Sequence, residues 1–212
     1  MHLSREDDGF TLVELIIAIL IIGVITVPLG NVVIGFLKNS DATTARLLES
    51  DDAQITSAYW AQDVASIGTR SADYTFKQSV ETAPTVVPYD SGLYPCGAAA
   101  TPDAIVRLAW DDFTRDGLLT VVRVAYVVTQ TAAGPTELHR LRCEGSATPV
   151  SDVILAHDLD PDPLKPPTVT CSTTCNAPAV PASVTLKLNL RDPNNHGSAY
   201  VIELTGQRRQ SL

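Results

Sequence analysis

The chain has 212 residues, of which 45% are hydrophobic and 18% are charged, and its formal net charge is −9. This composition excludes a globally disordered chain. The acidic balance argues against non-specific nucleic-acid binding, which needs Lys and Arg side chains against phosphates. The length suits one membrane-crossing segment and one soluble domain of roughly 150 residues.

An apolar segment runs from residue 10 to residue 37 and carries one charged residue, Glu14. A helix of this length rises about 42 Å, which is enough to cross a hydrocarbon core of about 30 Å. A carboxylate in such a segment is costly, so we predict that Glu14 is functional and has a cationic partner. Gly23 and Pro28 predict a helix break, because an interior proline removes a backbone hydrogen bond. Both residue types are also frequent in ordinary membrane helices.

The hexamer G-F-T-L-V-E at residues 9–14 lies between a short polar leader and the apolar segment. This combination resembles the processing site of type IV prepilins and of the pseudopilins of type II secretion systems. The resemblance implies that a prepilin peptidase cuts after Gly9 and that Phe10 is then N-methylated. It also implies that Glu14 helps subunits to enter a filament by meeting the N-terminal amine of a neighbour. The leader departs from the family pattern, since three acidic residues accompany Arg5 where family leaders are usually basic.

The same resemblance implies a structural subunit, either a minor pilin or a pseudopilin, and not an enzyme. Its implied partners are the prepilin peptidase, other pilin or pseudopilin subunits and a membrane assembly platform. The chain would cross the cytoplasmic membrane once, with its C-terminal domain outside the cytoplasm, and would later enter a filament. The expected organisation is a leader at 1–9, a transmembrane and filament-core helix at 10–37, the soluble half of that helix at 38–68, and a β-rich domain at 69–212.

The pattern of residues 40–67 is helical and mostly polar, and no proline occurs between 38 and 67. We therefore predict one long helix over about 10–67, with Gly68 as its C-terminal cap. A drifting apolar stripe marks its inner face, formed by Leu48, Ile55, Tyr59, Trp60, Val64 and Ile67. Asp63 lies where J- and W-type minor subunits of the family often carry an aspartate, and a solvated helix face is the alternative interpretation.

The remainder of the chain is predicted to be β-rich. Prolines and glycines indicate a loop at 69–101, and the second and third of the strands that follow should form a hairpin. Alternating and β-branched runs predict strands at 104–110, 118–130, 137–144, 153–156, 183–190 and 199–204. The predicted fold class is therefore α+β and pilin-like, with a long helix laid across an antiparallel sheet.

The predicted hairpin and the short strand after it add a looser resemblance. J- and W-type minor subunits carry a v-x-Y…L-x-R hairpin followed by a short vLa strand. The matching positions in this chain are Tyr126, Leu138, Arg140 and Leu155.

All four cysteines lie beyond the membrane segment, at positions 96, 143, 171 and 175. In an exported domain they would be in an oxidising compartment, where disulfides are favoured. Of the three possible pairings we favour Cys171–Cys175 together with Cys96–Cys143. A tetrathiolate zinc site is the alternative, although the spacings do not give two C-x-x-C pairs.

The sequence predicts no cofactor, no metal site and no catalytic residues. The histidines at positions 2, 139, 157 and 196 do not have metal-ligand spacing, and no G-x-S-x-G motif is present. Asp158, Asp160 and Asp162 recur at a spacing that is found in calcium-binding loops. The glycine and the final glutamate of an EF-hand loop do not follow them, so a solvated acidic loop is the preferred interpretation.

A second hypothesis is a bitopic membrane protein with an exported binding or enzymatic domain, in which the hexamer match is accidental. It predicts an anchor that is not cleaved, tolerance of Glu14→Leu, and activity from residues 69–212 alone.

Overall fold

The computed structural model of the chain describes residues 11–67, 80–82, 96–97, 104–113, 116–130, 134, 136–175, 180–191 and 199–209. The chain divides into two compact units, Met1–Arg46 and Leu47–Leu212. The described elements are one helix, α1 (Leu12–Ser66), and strands β1 (Val80–Thr82), β2 (Ala104–Phe113), β3 (Leu119–Gln130), β4 (Thr136–Glu144), β5 (Pro149–Ala156), β6 (Thr168–Cys171), β7 (Ser183–Leu190) and β8 (Tyr200–Gln207).

The predicted α+β, pilin-like fold class is confirmed, because one long N-terminal helix precedes antiparallel sheets. Helix α1 continues without interruption through Gly23 and Pro28, so the predicted helix break is not present in this structure. Pro28 has no N–H to donate to the carbonyl of Val24, but the helix continues on both sides of it. The hydroxyl of Thr26 donates to the carbonyl of Ile22 one turn earlier.

The first sheet has five antiparallel strands in the order β1-β2-β3-β4-β5. The predicted hairpin is its centre, with Tyr126 on β3 opposite Arg140 on β4. Strand β1 lies inside the stretch that was predicted to be a loop. It is only three residues long, which is too short for an alternating pattern to be recognised.

The remaining strands form a second antiparallel sheet in the order β6-β7-β8, so the single sheet expected from the sequence is in fact two. The turn after β5 joins them. The backbone N–H of Leu159 donates to the carbonyl of Thr136 on β4, over 2.9 Å, and that of Asp160 donates to Asn189 on β7, over 2.8 Å. Strand β6 is four residues long and lies in a stretch to which the sequence assigned no strand.

The main core of the Leu47–Leu212 unit lies where α1 meets both sheets. The helix contributes Trp60 and Val64, and Ile67 follows its last residue; all three are buried, whereas Leu48 of the predicted stripe is 61% exposed. The sheets contribute Val106, Leu108, Val124, Tyr126, Leu138, Leu155, Val184, Leu186, Leu188 and Leu190. A smaller core on the other face of the first sheet contains Cys96, Ala104, Ala125, Val127, Leu141 and Cys143.

Helix α1 approaches β8 closely at Gly206. A Cβ atom at that position would lie 2.6 Å from the Cβ of Val64, a distance that packed side chains do not tolerate. The absence of a side chain at Gly206 therefore allows the helix to lie directly on the second sheet.

Candidate functional site

The start of α1 is held by a reciprocal cap between Thr11 and Glu14. The backbone N–H and the hydroxyl of Thr11 both donate to Oε2 of Glu14, over 3.0 Å and 2.9 Å. The backbone N–H of Glu14 donates in return to the hydroxyl oxygen of Thr11, over 3.3 Å. This arrangement is a capping box, in which a threonine and a glutamate three residues later satisfy the unpaired N–H groups of the first helical turn. Glu14 therefore has a local structural role in addition to any role in assembly.

The apolar side chains that follow Glu14 on α1 lie on the surface of the protein. Every large hydrophobic residue from Leu12 to Leu37 is 48–74% exposed. The helix is long and apolar enough to cross a membrane, and its apolar stretch is not buried inside the protein. Exposure of this extent is stable only where lipid or another apolar surface covers the helix.

Gly9 and Phe10, the residues that flank the expected cleavage site, lie outside the described residues, as do His2 and His196. Their predicted roles stay predictions.

A buried ion pair connects the second half of α1 to the first sheet. The carboxylate of Asp63 accepts hydrogen bonds from Nε and Nη2 of Arg140 on β4, over 2.7 Å and 2.6 Å. The two side chains are 1% and 7% exposed. Two parallel hydrogen bonds between a guanidinium and a carboxylate fix both distance and orientation. The pair therefore sets the position of the helix along the hairpin.

Tyr126 on β3 completes this buried polar cluster, which we define as Asp63, Tyr126 and Arg140. Its hydroxyl donates to Oδ2 of Asp63 over 2.7 Å. Burial raises the pKa of the Tyr126 hydroxyl well above 10, and the neighbouring Asp63 carboxylate raises that pKa further. Burial alone lowers the pKa of Arg140, but the hydrogen bonds and charge of Asp63 raise it overall. Tyr126 is thus a neutral donor and Arg140 a permanent cation.

Aromatic rings enclose the polar cluster. The ring of Trp60 meets that of Tyr126 edge to face, with centroids 5.1 Å apart. The guanidinium carbon of Arg140 lies 4.8 Å from the centroid of Tyr59, within the range of a cation–π contact. Trp60 also donates from its indole nitrogen to the carbonyl of Val184 on β7, over 3.1 Å. The same turn of α1 is therefore tied to both sheets.

This geometry corrects one interpretation from the sequence, since Asp63 does not lie on a solvated helix face. Its two partners are Tyr126 and Arg140, two of the hairpin positions that resembled J- and W-type minor subunits. The other two positions of that resemblance, Leu138 and Leu155, are fully buried in the main core.

Two further polar side chains of α1 cap the end of β5. The hydroxyl of Thr56 donates to the carbonyl of Leu155 over 2.8 Å. The carboxylate of Asp52 accepts the backbone N–H of His157 over 2.7 Å, and its Oδ1 lies 3.1 Å from Nδ1 of the same residue. These bonds satisfy backbone groups that would otherwise be left unpaired beside the helix.

The cysteines form two disulfides, Cys96–Cys143 and Cys171–Cys175. This is the pairing that was favoured from the sequence, and it leaves no free thiol for a zinc site. The first disulfide joins Cys96 to β4 within the smaller core.

Asp160, Asp162 and His139 also have protein partners. The Nζ of Lys165 lies 3.2 Å from Asp160 and 3.9 Å from Asp162, so one lysine offsets part of the negative charge of the loop that was considered as a calcium site. His139 contacts Asp152 over 2.8 Å and Glu137 over 3.2 Å. In the part of the chain that the structure describes, no group of three or more His, Cys, Asp or Glu residues is placed to hold a metal ion.

Several of these residues were missed from the sequence. Thr11 could have been recognised, because a T-x-x-E motif directly before an apolar run is the signature of a capping box. Asp52 and Thr56 could not, because a search for apolar periodicity passes over polar residues on the inner face of a helix.

Comparison with known families identifies the N-terminal region. Residues 5–30 match the family model described as the prokaryotic N-terminal methylation motif. No curated protein matches the chain, and no solved structure matches it.

The motif and the long apolar helix together support one class of protein. The chain carries the prepilin-type signature at its N-terminus, followed by one helix that could span a membrane and an antiparallel β-rich unit. These features support a precursor of the type IV pilin or pseudopilin kind, anchored to a membrane by a single pass. A protein of this kind is structural and generally not an enzyme.

Proposed function

We propose that the chain is a minor pilin or pseudopilin that is cut after Gly9 by a prepilin peptidase, N-methylated at Phe10 and assembled into a filament with other subunits. The observation that carries this proposal is the methylation motif at residues 5–30, which extends into a helix whose apolar surface is exposed from Leu12 to Leu37. An exposed apolar helix serves equally to hold the chain in lipid and to pack against similar helices in a filament core.

Glu14 is the proposed contact with a neighbouring subunit. Both hydrogen bonds that Thr11 donates end on Oε2 of Glu14, and within the described residues Oε1 has no such bond. Oε1 can therefore accept a hydrogen bond from the free amine of Phe10 in the next subunit while the capping box stays intact. Pairing with an ammonium group would offset the cost of keeping the Glu14 carboxylate in an apolar environment.

The β-rich unit is proposed to be exported. The proposed organisation of the whole chain is a leader at 1–9, a membrane segment at 10–37, the soluble half of the helix at 38–68 and a globular part at 69–212. Its two disulfides support export, because such bonds persist in oxidising compartments. A membrane assembly platform would then move the subunit from the bilayer into the filament.

Mass spectrometry of the mature chain tests the proposed processing. We expect an N-terminus at N-methylated Phe10 and a mass that shows both disulfides intact. Gly9→Ala should leave the leader attached, whereas Gly23→Ala, a matched change at a position with open space around it, should be processed normally. A mature wild-type chain that still begins at Met1 would overturn the proposal and favour the bitopic alternative.

A pair of substitutions at Glu14 separates its two roles. Gln at this position still completes a capping box but carries no charge. Leu supplies neither the cap nor the charge. If Glu14 contacts a neighbouring amine, Glu14→Gln and Glu14→Leu should both be cleaved and yet fail to enter filaments. Filament incorporation of Glu14→Gln at the wild-type level would show that the cap alone matters.

A further inference from the structure

The segment between β5 and β6 presents an exposed leucine among prolines. Residues 160–167 read D-P-D-P-L-K-P-P, and the structure describes all of them. Leu164 is 88% exposed, the largest value for a large hydrophobic side chain among the described residues. Pro161, Pro163 and Pro166 are also exposed, and we define the proline turn as these four residues. A single exposed leucine is common on protein surfaces, but this one is held in a fixed position by its neighbours.

Hydrogen bonds within the segment hold Leu164 at the top of a β-turn. The backbone N–H of Lys165 donates to the carbonyl of Asp162 over 2.9 Å, which places Pro163 and Leu164 at the two central positions of the turn. Oδ1 of Asp162 accepts the backbone N–H of Leu164, also over 2.9 Å. Proline has a fixed φ that suits the first central position, where Pro163 lies. The conformation around Leu164 is therefore set before any partner binds.

Contacts on both sides fasten this turn to the fold. The backbone N–H of Asp160 donates to the carbonyl of Asn189 on β7 over 2.8 Å, and Nδ2 of Asn189 donates to the carbonyl of Lys165 over 3.1 Å. Asn189 thus contacts the segment both before and after the turn. Oδ1 of Asp160 accepts the backbone N–H of Asp162 over 3.1 Å. A turn that is ordered in this way loses little conformational entropy when it binds another molecule.

The proline turn has hydrogen-bond acceptors but no free backbone donor. The four prolines of the segment have no N–H, and the N–H groups of Asp162, Leu164 and Lys165 donate within the segment. Among the described residues, no donor reaches the carbonyls of Pro163 and Leu164. A buried carbonyl without a partner is costly. A molecule that covers Leu164 must therefore supply N–H or O–H groups to these carbonyls.

This requirement for donors selects among the possible occupants. Hydrocarbon has no donors, and irregular backbone is not found exposed to it. The proline turn of a second copy offers acceptors and no backbone donor. Tyr and Trp side chains combine a flat apolar face with an O–H or N–H donor, and aromatic grooves are the usual binding sites of proline-rich segments. An aromatic pocket on another protein is therefore the complementary surface.

We propose that the proline turn docks on another protein. Leu164 enters an apolar pocket lined by Tyr or Trp side chains, which donate hydrogen bonds to the carbonyls of Pro163 and Leu164. One apolar anchor in a desolvated pocket can carry most of the affinity of an interface. Common proline-rich ligands bind as extended polyproline II helices, whereas the bond from Lys165 to Asp162 makes this ligand a turn. Docking at this turn is independent of the proposed processing at Gly9.

Photo-cross-linking of the full-length chain in its native cells tests this proposal. A benzophenone amino acid in place of Pro166, directly after the turn, should give one protein adduct, attached to a peptide that contains Tyr or Trp. Adding Leu164→Ser should lower the adduct yield about tenfold or more. The same probe at Val150, which is 61% exposed on β5, should not give this adduct.

A pair of changes at Asp162 tests whether the ordered turn is what the partner recognises. Asp162→Ala removes the acceptor for the N–H of Leu164 and should lower the adduct yield about threefold or more. Asp162→Asn keeps an acceptor oxygen at the same position, so it should retain most of the yield. An equal loss in both variants would overturn the proposal, because the partner would then recognise the carboxylate charge and not the turn.

Several other results would overturn the docking site: adducts with lipid only, adducts with a second copy of this chain only, no protein adduct, or a partner peptide without Tyr and Trp. A yield that Leu164→Ser leaves unchanged would also overturn it. Melting temperatures control for folding, and Leu164→Ser should melt with the wild type because the side chain is exposed. The state of the N-terminus is measured on the same samples, so a normally processed chain without an adduct contradicts the docking site and not the proposed filament role.

Discussion

The two ends of α1 differ in how side-chain chemistry relates to burial. Between residues 12 and 37 the helix is almost entirely apolar, and its large hydrophobic side chains are exposed. Between residues 52 and 66 it mixes polar and apolar residues, and Asp52, Thr56 and Asp63 are buried together with Trp60 and Val64. A soluble helix is expected to bury apolar residues and to expose charged ones, so the exposed apolar stretch and the buried carboxylates both depart from that rule.

This difference shows that the surroundings of a helix, and not its composition, decide which of its residues are buried. The stretch at 52–67 has its partners within its own unit, and each buried polar group there bonds to a strand or to the residue directly after one. The stretch at 12–37 has no such partners among the described residues, so its apolar surface must be covered by other molecules. The stretch at 52–67 stabilises the fold, and the stretch at 12–37 is available for assembly.

The largest expected effect comes from removal of the carboxylate at Asp63. Asp63→Ala leaves the Arg140 guanidinium buried without its partner, and a charge in that state costs about 3–5 kcal/mol. The free energy of unfolding of the full chain in detergent, measured with denaturant, should fall by that amount. Asp51→Ala, on the exposed face of the same helix, should change it by less than about 0.5 kcal/mol.

A second substitution distinguishes an unpaired charge from lost packing. Arg140→Met in the Asp63→Ala background removes the orphaned guanidinium, so it should recover a large part of the lost stability. If the double variant is as unstable as Asp63→Ala alone, the buried charge is not the cause of the loss.

Much of the fold could be predicted from the sequence. The apolar segment, the long helix, the fold class and the β3–β4 hairpin were all predictable, because each depends on a long run of periodic residues. Trp60, Val64 and Ile67 were assigned correctly to the inner face of the helix for the same reason.

The features of the fold that could not be predicted depend on tertiary contacts. The division into two sheets could not be predicted, since it depends on the turn at Leu159, which hydrogen-bonds to β4 while the next residue bonds to β7. The burial of Asp63 could not be derived from periodicity either. Its partner Arg140 lies 77 positions away, and only the resemblance to a family pattern singled out both residues.

The next largest effect is expected at the contact between α1 and β8. Gly206→Ala places a Cβ 2.6 Å from that of Val64, and overpacking of this kind costs about 1–3 kcal/mol. The denaturation midpoint should fall accordingly. Val64→Ala should relieve the clash only in part, because the nearest atom is the Cβ itself. A matched Gly30→Ala, with no atom within 4 Å of the new Cβ, should not destabilise the β-rich unit.

A smaller and pH-dependent effect is expected from Tyr126. Tyr126→Phe removes a hydrogen bond to a charged group, which contributes about 1.5 kcal/mol. The pKa of Tyr126 is raised above 10 by burial and by Asp63, so the unfolded chain loses this proton before the folded chain does. Stability from this group is fully present below about pH 10 and declines as the pH rises above it. Denaturation curves at pH 9 and pH 11 should show a weaker alkaline loss in Tyr126→Phe, and an equal loss in both proteins would contradict the raised pKa.

The smallest effect on unfolding is expected at Glu14, the acidic residue at the other end of the same helix. Its carboxylate is exposed and contacts only Thr11 among the described residues, so Glu14→Leu should leave the unfolding of the β-rich unit unchanged within error. The same variant should fail to enter filaments. Because Asp63→Ala should destabilise the fold and Glu14→Leu should not, comparison of the two separates a carboxylate that stabilises the fold from one that acts between subunits. A marked loss of domain stability in Glu14→Leu would show instead that the start of the helix and the β-rich unit are energetically coupled.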